Sequence, residues 1–99
     1  MDFNIKKGDC AQSIRGRDKG SIYIVADKLP NGKLMLVDGK IRTLAKPKQK
    51  NIKHCKHVDI KNNISEKFAN NQKVFDFEII TVLKEFKPKI DKEEQNVKR

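Results

Sequence analysis

The sequence has no tryptophan, one tyrosine and five phenylalanines in 99 residues, with only three prolines and two cysteines. So few aromatics argue against a stacking platform for single-stranded nucleic acid. Cys10 and Cys55 allow at most one disulfide. No apolar run approaches the ~18 residues of a membrane helix. Met1-Asp2-Phe3-Asn4-Ile5-Lys6-Lys7-Gly8 lacks the apolar stretch of a secretory signal. The expected setting is the cytoplasm, with both thiols reduced and no membrane partner.

Catalytic patterns are missing too. There is no Ser/His/Asp order, no P-loop and no Gly-x-Gly-x-x-Gly, and the carboxylates are scattered. Neither an enzyme nor a bound cofactor is expected. His54, Cys55 and His57, with Cys10 as a fourth candidate, do not match the paired spacing of zinc sites. On a strand, His54 would also point away from Cys55 and His57. No metal is expected, and Cys55 reads as a small core residue.

Acid is scarce relative to base. Lys and Arg number 23 against 13 Asp and Glu, a net charge of +10 with a pI near 9.8. Residues 1–50 hold 12 basic and 5 acidic residues, and residues 51–99 hold 11 and 8. Lys40, Arg42, Lys46, Lys48, Lys50, Lys53 and Lys56 follow one another with no carboxylate between them. Like charges concentrated this way make a strong local positive potential, whose simplest partner is a nucleic acid. The length fits a single domain, and 36% apolar residues imply a small core.

Punctuation and period give a mainly β reading. Cys10–Ile14 is a short strand with Cys10, Gln12 and Ile14 on one face. Gly16 and Gly20 bracket a polar turn. Ser21–Ala26 is β-branched and aromatic, with Ile22, Ile24 and Ala26 facing opposite to Tyr23 and Val25. Gly32 in Asn31-Gly32 and Gly39 in Asp38-Gly39 mark tight turns with positive φ. Lys33–Val37 reads as the third strand and Lys40–Leu44 as the fourth. A two-residue loop pairs Leu36 with Ile41 and puts Leu34, Leu36, Ile41 and Thr43 on the core face. Lys33, Lys40 and Arg42 then face outward. Pro47 makes the following basic segment extended, and Ile52–Val58 is a fifth strand. Five short strands predict a small β-barrel.

Helical signals come next. Ser65–Asn71 reads as one or two turns capped by Ser65. Asp76–Phe86 is a longer helix, capped by Asp76 and stapled by Phe75 and Ile80, with an apolar stripe of Ile79, Val82, Leu83 and Phe86. Phe75, Phe77 and Phe86 are expected to pack on the barrel. The predicted organisation is a barrel over 1–60, a helical extension over 61–87 packed on it, and a disordered charged tail over 88–99.

Gly8-Asp9, then Gly16-Arg17-Asp18-Lys19-Gly20 and an apolar strand, resemble the KOW motif of small SH3-like barrels. Val37-Asp38-Gly39-Lys40-Ile41-Arg42 and Pro47-Lys48-Gln49-Lys50-Asn51-Ile52-Lys53-His54 narrow the resemblance to bacterial KOW-domain RNA-binding proteins. These are similar to the L14e-type large-subunit ribosomal proteins. The resemblance covers about residues 6–58, and more weakly the helical region. Cys10-Ala11-Gln12 departs from it, being less apolar than usual there. It implies an SH3-like barrel that binds RNA at or near the ribosome, with ribosomal RNA of the large subunit as partner and neighbouring ribosomal proteins in reach. A monomer is expected.

Phosphate ligands are expected at Arg15, Arg17 and Lys19, with Lys40 and Arg42 beside them. Lys46, Lys48 and Lys50, alternating on an extended chain, would project to one side at ~6.6 Å spacing. Lys53 and Lys56 continue the run, and Asn51 and His54 are candidates to read a base edge or a 2′-hydroxyl. Gly8, Gly16, Gly20, Gly32 and Gly39 are turn residues. At Gly16 and Gly20, positive φ and close approach to RNA remain equally open. Asp18 is expected to hold its turn by bonding backbone amides, and Tyr23 reads as a barrel residue before a base-stacking one. The rival is a KOW-type protein-interaction module of the transcription or translation machinery, which would expose an apolar patch. A DNA-binding or nonspecific nucleic-acid coat would bind DNA and RNA duplexes equally.

Overall fold

A computed structural model describes residues 4–60 and 62–86. The expected charged tail at 88–99 lies outside the described residues. The chain is mainly β, as expected: a five-stranded antiparallel sheet and two short helices. The strands are β1 (Cys10–Ser13), β2 (Ile22–Lys28), β3 (Lys33–Val37), β4 (Lys48–Asn51) and β5 (Cys55–Val58). The helices are α1 (Ile64–Ala69) and α2 (Asp76–Phe86). The sheet order is β4-β3-β2-β1-β5. Its two outer strands are joined by a single 3₁₀ turn, Ile52–His54. So short a link forces the sheet to curl until its edges approach, which makes it barrel-like.

Curling divides the apolar side chains into two sets. Ala11, Tyr23, Val25, Leu34, Leu36, Ile52 and Cys55 fill the concave side. Cys10, Ile24 and Val37 lie on the convex side, where Ile64, Val74, Ile79 and Leu83 cover them. Both faces of β2 are therefore buried, which is why its sequence is a near-continuous apolar run. On β1 the inward residues are Ala11 and Ser13, and Ile14 is exposed beyond the strand end.

The Lys40–Leu44 strand is not formed. β3 pairs instead with β4, matching Leu34 with Lys50 and Leu36 with Lys48. The cause is Asp38. Its Oδ1 accepts hydrogen bonds from the backbone N–H groups of Lys40 and Arg42, both at 2.9 Å. This local bonding closes a wide turn in competition with a hairpin ladder. Ile41, expected in the core, is 82% exposed. The expected fifth strand is likewise shortened. Asn51 Oδ1 accepts from Lys53 N at 3.0 Å and caps the 3₁₀ turn, so pairing begins at Cys55.

α2 occupies the predicted span, and Ile79 and Leu83 bury its stripe. The side chain of Phe86 lies outside the described residues. The cap of α2 lies one residue earlier than expected. Glu78 accepts from Phe75 N at 3.0 Å, so Phe75 stands at the cap, and Val74 and Ile79 form the staple. Asp76 turns away to accept from Leu44 N at 2.9 Å. Phe75 and Phe77 are exposed rather than packed on the barrel. α1 begins at Ile64, whose N–H is taken by Asn62 Oδ1 at 2.8 Å, so Ser65 is not its cap.

Both helices dock through glycines. A Cβ on Gly8 would stand 2.4 Å from the Ser65 Cα, and one on Gly39 would stand 2.6 Å from the Asp76 carbonyl oxygen. Both residues have positive φ, as do the three other turn glycines. Gly8→Ala is expected to cost more than 2 kcal/mol, roughly, by adding a backbone clash to the strained φ. Gly20→Ala meets open space and should cost about 1 kcal/mol. Thermal melts of the two variants check this; equal losses would show that α1 does not dock against Gly8.

Candidate nucleic-acid interface

The loop between β1 and β2 is held by its own backbone. Gly20 N–H donates to Ser13 O at 2.8 Å, Lys19 N–H to Gly16 O at 3.2 Å and Ser21 N–H to Asp18 O at 2.9 Å. These bonds fix a compact turn from which the Asp18 side chain points inward. It does not bond backbone amides as expected. Its Oδ1 accepts from Ser13 Oγ (2.8 Å) and Lys50 Nζ (3.0 Å), and its Oδ2 from Tyr23 Oη (2.8 Å) and Lys48 Nζ (2.8 Å). Four donors meet the roughly four lone-pair sites of a carboxylate.

Lys48 and Lys50 stand opposite Leu36 and Leu34, whose side chains lie in the concave core. Directly opposed residues share a sheet face, so the two lysines also point inward. They share one side, as predicted, but it is the core side. Only 25% of the Lys48 side chain and 11% of the Lys50 side chain are exposed, against 13% for Asp18. Lys46 precedes the strand and is exposed in the turn before it. The three lysines thus do not form one outward row.

Burial pushes the Asp18 carboxyl up, but the bonds from Lys48, Ser13, Lys50 and Tyr23 outweigh it and hold the group well below the ordinary carboxylate range. Burial, and then the bond to Asp18, push the Tyr23 phenol up to about 12. Tyr23 therefore remains a donor, and at 5% exposure it is a core residue.

Turning Asp18 inward leaves Arg15, Arg17 and Lys19 as the exposed charges of the loop. Ile14 N–H donates to His54 O at 2.9 Å, which sets this loop beside the 3₁₀ turn and β5. Lys53 and Lys56 are exposed there, and His54 is half-buried. Asn51 also belongs to this region, with its Oδ1 engaged by the turn. Lys40, Arg42 and Lys46 sit elsewhere, on the 38–47 loop fastened to the start of α2. The predicted residues therefore fall into two groups.

The metal constellation is not assembled. Cys10 lies in the convex cluster and Cys55 in the concave one, and both are free thiols. Burial, and then Asp9, push the Cys10 thiol up to about 12; burial also raises Cys55. His57 faces Asp9 at 3.6 Å. Sequence reasoning missed the partners of Asp18 and the exposure of Phe75 and Phe77. The available signal was angular: at ~3.6 residues per turn, Phe77 stands about 200° from Ile79, on the side of α2 opposite the buried stripe. No family model and no curated protein matches the chain.

Asp18→Asn would leave two half-buried ammonium groups without their counter-charge, at an expected cost of about 3 kcal/mol near neutral pH. Because the folded-state pKa of Asp18 is depressed, its stabilisation is complete above the unfolded value of about 4 and is lost as pH falls through the folded one. The stability gap between wild type and variant should therefore narrow from about pH 4 downward. Chemical denaturation across this range measures it. A gap independent of pH would contradict the ion cluster.

Proposed function

We propose that this protein binds structured RNA through phosphate contacts from Arg15, Arg17, Lys19, Lys53 and Lys56. The carrying observation is the inward turn of Asp18, the sole carboxylate between Arg15 and Lys56 apart from Asp27 and Asp38. It leaves the loop surface purely cationic, beside two further exposed lysines. Arginine forks and lysine point charges suit phosphate oxygens, which give affinity and register before sequence discrimination. Lys48 and Lys50 act one step back, by anchoring the loop through Asp18.

The finer reading, ribosomal RNA of the large subunit, rests on the resemblance of residues 6–58 to KOW-domain proteins. A second reading, a protein-interaction module, is favoured by the exposure of Ile41, Phe75 and Phe77.

Affinity for a hairpin RNA, measured over a range of salt, tests the proposal. Arg17→Gln with Lys19→Gln should weaken binding and reduce the salt slope by about two, roughly one for each phosphate no longer neutralised. Its melting temperature should match wild type. Lys48→Glu with Lys50→Glu should instead fail to fold stably, since it sets carboxylates against Asp18. An unchanged salt slope in the loop variant would remove that loop from the interface. Co-sedimentation of the wild-type protein with large subunits would support the ribosomal reading, and its absence at low salt would reject it.

A further inference from the structure

Phe75 and Phe77 form a second surface that the phosphate-binding reading leaves unused. Their rings lie nearly parallel, 13° apart with centroids separated by 5.6 Å. They are 45% and 65% exposed. Neither ring belongs to a core cluster, since the buried side of α2 is supplied by Ile79 and Leu83. A stacked aromatic pair left in water presents a flat apolar face whose natural complement is another flat ring.

The surroundings identify the complement. Lys73 Nζ stands over the Phe75 ring, 5.4 Å from its centre, which leaves Phe77, the more exposed ring, as the one open to a base. The 38–47 loop is fastened beside the pair, because Asp76, between the two phenylalanines, accepts the Leu44 N–H and its carbonyl lies against Gly39. That loop brings the exposed Lys40 and Lys46. Along α2, Lys84 is exposed and follows Phe77 at i+7, on the same helix face. Among the described residues, the nearby carboxylates are turned to internal partners: Asp38 to backbone N–H groups, Asp76 to Leu44 and Glu78 to Lys67 and Phe75. An apolar protein surface would gain little from this cationic rim. A nucleotide fits both parts, with its base on the rings and its phosphates at the ammonium groups.

We propose that Phe75 and Phe77 are a stacking site for an unpaired RNA base, flanked by Lys73 and the lysines of the 38–47 loop. This rests on the RNA-binding reading and adds that the RNA is not wholly duplex. It assigns a use to the second group of cations, Lys40 and Lys46, which lie apart from the Arg15–Lys19 loop.

The test uses the full chain and two probes: a hairpin RNA with a uridine loop, and a blunt duplex of the same stem. Phe77→Ala should lower affinity for the hairpin by about 5- to 100-fold and leave the duplex unchanged. Phe77→Trp should restore hairpin binding. At 65% exposure, Phe77 can be replaced without loss of folding, which a thermal melt checks. Hairpin affinity unchanged by Phe77→Ala, with duplex binding retained, would overturn the stacking site and return the pair to the protein-contact reading. Failure of wild type to bind either probe would overturn the RNA-binding reading itself, and the stacking site with it.

Discussion

One carboxylate, Asp18, takes hydrogen bonds from two ammonium groups and two hydroxyls where the β1–β2 loop meets β4. This contact ties the β1–β2 loop to β4 across the concave side of the curled sheet. β4 offers its concave side Lys48 and Lys50 where an ordinary small barrel would offer apolar side chains. Burying an ammonium group without a counter-charge costs several kcal/mol, roughly. A loop carboxylate therefore has to fold in over it. The same inward turn leaves Arg15, Arg17 and Lys19 exposed, so one interaction holds the loop to the sheet and sets the sign of the surface beside it.

The convex side is stabilised differently. There the contacts are apolar, between Cys10, Ile24 and Val37 on the sheet and Ile64, Val74, Ile79 and Leu83 from the helical region. Glycine at 8 and 39 allows the backbone approaches that close packing requires. Asp38 and Asp76 then pin the intervening loop by accepting its amides. The position of the exposed phenylalanines follows from this docking, since the buried stripe of α2 fixes which helix face remains outside.

Much of this fold is legible in the residues. The Lys33–Val37 strand and the Asp76–Phe86 helix occupy their predicted spans, and all five glycines have the positive φ that their turns suggested. What failed has two physical origins, one long-range and one local. Side-chain period tells which residues share a face, but not which face meets the core. Lys48 and Lys50 are correctly on one side, and that side is inward because a carboxylate thirty residues earlier can neutralise them. The Asp38-Gly39 pair resembles a hairpin turn, yet Asp38 bonds two amides beyond it and stops the ladder. The Asp18 contacts to the lysines join residues 30 and 32 apart, which no local pattern encodes, whereas the Asp38 bonds are local and compete with the hairpin that the same residues suggest.

On the proposed reading, the protein carries two RNA-facing regions of different chemistry. The Arg15–Lys19 loop with Lys53 and Lys56 holds phosphates, and the Phe75–Phe77 pair receives a base. Both take their position from contacts that never touch the ligand. The most direct measurement is a residue-by-residue map of amide chemical shifts in the full chain during titration with the looped hairpin RNA. The expected perturbations cluster at residues 15–20 and 53–56, with a second set around 73–77. Perturbations confined to the cleft formed by Asp9, His57 and Asn62, or none at all under low salt, would contradict the assignment of the interface.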